Sequence, residues 1–215
     1  MLCAVVFKLA SEIKQQDTQE LPQVPNSTLF SEVIQAIHTQ DVLEYKEWIA
    51  AMEAQEEYRK EWYRDITLEE KYQQYIYEWC QMLEIDYDLM LALSYHESRF
   101  NPNALNTTNS NGTRDYGLFQ VNSSNLKWVE ELAGRPMDVI GDVYDNILGG
   151  ILIFNFYYSY WEDRELEGEE LKHYALSSYN FGIGGFVRAG YPTTTRAYNR
   201  NIMHTKKEFQ EATYE

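Results

Sequence analysis

The run Tyr95-His96-Glu97-Ser98-Arg99-Phe100, followed after a polar loop by Asp115-Tyr116-Gly117-Leu118-Phe119-Gln120-Val121-Asn122, decides how this chain reads. Just upstream, Leu89-Met90-Leu91-Ala92-Leu93 is apolar on every side, which predicts a buried core helix over 87–98. Glu97 emerges at the C-terminal end of that helix. A helix C-terminus carries negative partial charge and the surroundings are apolar. Both disfavour an ionised carboxylate, so the Glu97 pKa is expected to rise. Pro102 then blocks simple continuation. Residues 101–114, rich in Asn, Thr, Ser and Gly, deliver a second carboxyl, Asp115. An acid poised to give up its proton, near a second carboxyl that stabilises positive charge, is a pattern for acid–base chemistry.

The rest of the chain sets bounds on that chemistry. Its 215 residues suggest one domain plus an extension, and 44% apolar residues suffice for a core. The net charge of −16 divides evenly, −8 over residues 1–70 and −8 over 71–215, so it is not an acidic tail. That charge argues against nucleic acid, which needs a basic footprint, and against anionic lipid. It suits a solvated surface. Cys3 and Cys80 lie in no metal-ligand spacing, and the four His are scattered, so no metal and no cofactor is expected. One bridge between the two cysteines stays open. The 18 Tyr fit either a polar-edged helical core or a sugar-binding surface.

Along the chain, Leu2 to Phe7 is apolar but too short for a complete signal peptide or a membrane span. It reads either as the remnant of an anchor or as an ordinary terminus. Residues 1–29 form a tail and linker, with Pro22 and Pro25 in a polar stretch. Residues 30–66 read as a helical extension. Phe30, Val33, Ile34 and Ile37 share one face, and Glu53 to Arg64 is a charged stalk. Thr67 with Glu70 looks like a capping box opening the next helix, and Asp88 suits the start of the helix after it. A small hairpin is expected within 105–122. Ile147 to Tyr160 reads as a helix whose Gly149-Gly150 allows close packing, and Asn180 to Gly185 reads as a glycine-rich loop. The main domain is placed at 67–205, with a tail over 206–215.

Five ordered motifs then carry a resemblance. They are Glu97-Ser98-x-Phe100-x-Pro102-x-Ala104, Gly117 to Asn122, Asn146-Ile147-x-x-Gly150, Ala175-x-x-Ser178-Tyr179-Asn180-x-Gly182, and Thr195-x-x-Tyr198. In this order they resemble the soluble lytic transglycosylase family of the lysozyme-like superfamily, over roughly residues 70–205. The resemblance implies a mainly α, lysozyme-like domain with at most a small β-hairpin. It implies that Glu97 is the catalytic acid/base and that Ser98 hydrogen-bonds near it. Gln120 and Asn122 would lie on the groove wall, Tyr179 and Asn180 beside the acid, and Tyr198 would approach the catalytic carboxyl. Phe119 stands where the family usually has Met. Asp115 is the larger departure, because most transglycosylases carry no acid there, whereas animal-type lysozymes do. His96 should point elsewhere and be structural.

The implied substrate is the glycan strand of peptidoglycan, cleaved at MurNAc–GlcNAc β-1,4 bonds outside the cytoplasm. With one carboxyl the product is a 1,6-anhydro sugar. With Glu97 and Asp115 acting together the enzyme would be a muramidase, that is, a hydrolase. A third reading is a glycan-binding module of an envelope machine, with residues 30–66 touching protein partners.

Overall fold

The computed structural model describes residues 46–190 and 193–212. The chain divides into two compact units, 1–55 and 56–215. In the first, residues 46–55 are helical and mostly exposed. The expectations for residues 1–45, including the apolar start and the helical face from Phe30 to Ile37, lie outside the described residues.

The second unit is the domain. Residues 56–62 are helical. There follow α1 (Glu70–Met82), α2 (Tyr87–Ser98), β1 (Leu105–Asn106), β2 (Asp115–Tyr116) and β3 (Val121–Asn122). A 3-10 turn (Ser123–Asn125) leads to α3 (Leu126–Ala133), α4 (Val143–Glu162), α5 (Gly168–Phe181), α6 (Ile183–Arg188) and α7 (Thr193–Glu211). As its composition predicts, α2 is the central helix: Leu89 to Leu93 are fully buried. It packs along α7, and α4 packs along α5. Among the described residues, no helix is long and apolar enough to cross a membrane. Cys80, a free thiol, is fully buried in α1, and burial pushes its pKa up.

The domain is larger than its sequence reading at both ends. The charged stalk ends in the core. Trp62 and Arg64 are buried, Tyr87 donates to the Trp62 carbonyl at 2.6 Å, and Arg64 pairs with Asp88 at 2.9 Å. The boundary therefore falls before residue 56, not at 66. At the other end α7 runs on to Glu211, burying Ile202 and Phe209. The Lys206 ammonium meets Asp86 at 2.6 Å. Residues 206–211 are thus part of the domain and not a tail.

Two local expectations are corrected. Thr67 does not cap α1. The N-cap is Glu69, without a side-chain hydrogen bond, because Leu68 is drawn into the core. Buried Gln73 does the fastening: it donates to the carbonyls of Arg64 (3.1 Å) and Leu68 (2.8 Å) and accepts from the Arg64 amide (2.8 Å). Asp86 caps α2, accepting from the Leu89 amide at 3.1 Å, and Asp88 lies in the first turn as expected. The glycine-rich loop contracts to Gly182 alone (φ +69°), with Gly184 and Gly185 inside α6.

Candidate active site

The last turn of α2 fixes Glu97. The helix stops at Ser98 because Arg99 (φ 55°) and Phe100 (φ 62°) both take left-handed backbone, three residues before Pro102 is reached. The buried Phe100 ring stacks on Phe209 of α7, centroids 5.8 Å apart. Glu97 is thereby held at a groove of about 740 Å³, which it lines. Its Oε1 accepts a short hydrogen bond from the Tyr198 hydroxyl. Burial pushes its pKa up to about 7. The Tyr198 bond opposes that rise and the nearby Asp115 charge adds to it. Burial, with the Glu97 charge alongside, also lifts Tyr179 and Tyr198 well above the ordinary tyrosine value. Both remain hydrogen-bond donors at neutral pH.

Asp115 reaches the same groove through strand register. The three strands pair antiparallel in the order β1-β2-β3, with Asn106 opposite Asp115 and Asp115 opposite Asn122. The neighbouring row is Leu105, Tyr116 and Val121. Because side chains alternate between faces, one row is polar and the other largely apolar. Along the polar row, Asn106 Nδ2 donates to Asp115 Oδ2 at 2.8 Å and Asn122 Nδ2 to Oδ1 at 2.5 Å. Asn109 adds a third donor to Oδ2 at 2.9 Å. The small sheet exceeds the expected hairpin by one strand, and that strand supplies Asn106.

One side chain bolts this sheet to the helices. Asn146 in α4 is buried, accepts from the Phe119 amide (3.1 Å) and donates to the carbonyls of Tyr116 (2.8 Å) and Val139 (3.0 Å). Gly117 (φ +72°) leaves room for it, since a Cβ there would lie 2.5 Å from the Asn146 side chain. Gly150, one turn further along α4, makes room for Phe119 in the same way, with a Cβ 2.3 Å from the ring. The close contact made by the glycine pair is therefore with the hairpin turn, and through Gly149 with Val129 of α3.

The remaining candidates divide. Gln120 (φ 47°), Asn122, Tyr179 and Asn180 line the groove with Glu97 and Asp115. Tyr179 donates to the Phe119 carbonyl at 2.7 Å, and Gln120 donates to those of Gly117 (2.9 Å) and Ala104 (3.3 Å). Tyr198 stands behind Glu97 and is not among the groove-lining residues. Ser98 departs from its expected place: its hydroxyl donates back to the Ser94 carbonyl at 3.1 Å, as a helical serine does, and it does not line the groove. His96 bonds Thr205 of α7 at 3.0 Å, a structural link. Asn106 and Asn109 were not singled out from the sequence, and Asn146 stood only in a motif, without a role. The signal for the first two was their place in the polar loop beside Asp115, but loop asparagines are too common to be chosen on that alone. Among the described residues, no group of three His, Cys, Asp or Glu is placed to hold a metal ion.

A mainly helical domain with a small sheet and a recessed glutamate in a polar groove defines the lysozyme-like class. Residues 74–208 match the Transglycosylase SLT domain, and the chain belongs to that family. Short stretches also resemble animal lysozymes. Lysozyme 1 of Musca domestica is 44% identical over 44 residues, covering 20% of this chain and 30% of the relative. Lysozyme C, milk isozyme, of Canis lupus familiaris is 50% identical over 38 residues, covering 18% of this chain and 27% of the relative. The matched segments thus span less than a third of either lysozyme.

Proposed function

We propose that the protein cleaves the MurNAc–GlcNAc β-1,4 bonds of peptidoglycan by lytic transglycosylation, with Glu97 as acid and base. The observation that carries this reading is the Glu97 carboxyl itself. It lines a groove in an SLT domain, holds its proton up to about pH 7, and is oriented by Tyr198. In the first step Glu97 gives its proton to the glycosidic oxygen, and the C1–O bond breaks. In the second, the resulting carboxylate takes the proton of the MurNAc C6 hydroxyl as that oxygen bonds to C1. The product is a 1,6-anhydro end, Glu97 recovers its proton, and no water is consumed. Peptidoglycan lies outside the cytoplasmic membrane, so the site of action is extracytoplasmic.

Hydrolysis is the second reading, and one observation favours it: Asp115 lines the same groove, and its charge raises the Glu97 pKa. Water would then replace the C6 hydroxyl, with Asp115 stabilising the anomeric centre. Against a nucleophilic role, both Asp115 oxygens already accept amide hydrogen bonds.

Glu97→Gln is expected to lower peptidoglycan cleavage at least ~100-fold with the fold intact by circular dichroism. Retained activity would remove Glu97 from its role. Mass spectrometry of the released muropeptides separates the two chemistries. Anhydro ends support transglycosylation, and reducing ends support hydrolysis.

A further inference from the structure

The groove has two chemically different walls. One is amide and hydroxyl, built from the polar row of the sheet and the loop between β1 and β2: Asn106, Asn109, Asn111 and Thr113. The other is largely carbon, built by α4 and α5: Ile153, Tyr157, Tyr179 and Phe181. Within that second wall the aromatic rings differ. Tyr157 is buried, and Tyr179 is partly buried with its hydroxyl spent on the Phe119 carbonyl. Phe181 is 43% exposed and, among the described residues, makes no ring–ring contact. Exposure alone would carry nothing, since Met82 and Ile140 are also exposed. What sets Phe181 apart is its place on the wall of the same groove as Glu97.

The backbone keeps that ring clear. Phe181 is the last residue of α5, and Gly182 turns the chain at φ +69° into α6. A side chain grown from Gly185 would begin 3.7 Å from the Phe181 Cδ1 and cover its flank. The glycines of this stretch thus leave an aromatic face open.

We propose that Phe181 is a stacking platform for one pyranose ring of the bound strand, which makes it a residue that sets affinity and specificity for N-acetylated hexosamines. The inference rests on the glycan-cleaving reading above. A pyranose in its chair form carries polar groups around its rim and C–H bonds on its faces. The electron-rich face of an aromatic ring attracts those C–H bonds, while amide and hydroxyl side chains opposite suit the rim and its N-acetyl groups.

The test measures kcat and KM on soluble peptidoglycan glycan fragments for the wild type and for Phe181→Ala, Phe181→Leu and Phe181→Trp. Thermal unfolding of each serves as the folding control. Ala and Leu are expected to raise KM roughly tenfold with kcat changed by less than about twofold, the pattern of lost uniform binding. Trp should stay near the wild type. The contrast with Leu matters, because Leu restores apolar bulk but not a ring face. Leu behaving like the wild type, or Ala leaving KM unchanged, overturns the platform. A wild type that cleaves while the variants match it sinks this inference alone. A wild type that neither cleaves nor binds the fragments sinks the glycan-cleaving reading beneath it.

Discussion

In the proposed reaction Glu97 is two different groups within one turnover, an acid and then a base, and its surroundings suit both. Burial keeps the proton on at neutral pH, while Tyr198 donates to the carboxylate left when it departs. Asp115 and Tyr198 pull its pKa in opposite directions. Asp115→Asn should therefore move the alkaline limb of the activity profile, near pH 7, to lower pH, and Tyr198→Phe should move it higher. Parallel shifts in the kcat/KM profiles of the two variants would contradict this assignment. The same shift governs stability. Between the ordinary value of 4.5 and about 7, the native state keeps a proton that the unfolded chain has lost. The stability linked to that proton is full below about pH 4.5 and is lost as pH rises through 7. Denaturant unfolding at several pH values should show this slope in the wild type and not in Glu97→Gln. Glu97 was legible in the sequence because an apolar helix ends on it. The Ser98 bond to the Ser94 carbonyl was not legible, because adjacency in sequence does not say which way a helical hydroxyl turns.

Among the elements, the small sheet does the most with the least chain. Its three strands of two residues are too short for any alternation to show in the sequence. Yet their register turns three scattered polar residues into the row Asn106–Asp115–Asn122. A slip of one residue in β2 would put Arg114 or Tyr116 where Asp115 now stands. What prevents the slip is Asn146, so Asn146→Ala should destabilise the fold by about 2–4 kcal/mol, since it leaves buried backbone groups unpaired. Gly150→Ala drives a methyl into the Phe119 ring and should cost about 1–3 kcal/mol. Thermal unfolding checks both, and a near-neutral Asn146→Ala would mean the turn holds itself. The motif Asn146-Ile147-x-x-Gly150 was visible in the sequence, but its purpose was not, because the turn it grips begins 29 residues earlier.

For the whole molecule, the same locality explains the misplaced boundaries. Trp62 and Arg64 hide in a charged stretch, and the partner of Arg64 lies 24 residues on at Asp88. Phe209 is the one large apolar residue near the end of a polar helix. A chain of residues 56–215 should accordingly fold, whereas 67–215 or 1–205 should express poorly or melt far earlier. Arg64→Ala should cost about 3–5 kcal/mol by stranding the Asp88 carboxylate; equal melting of 56–215 and 67–215 would restore the boundary read from the sequence. Cys80 supplies a way to watch this core at work. Once Cys3 is replaced by serine, the chain holds one thiol, Cys80, fully buried in α1. A thiol-reactive dye then reports only those moments when α1 lifts away, and its labelling rate becomes a clock for breathing of the domain. Saturating that chain with glycan, the proposed substrate, and timing the clock again measures how much of the molecule, beyond the groove, is tightened by binding.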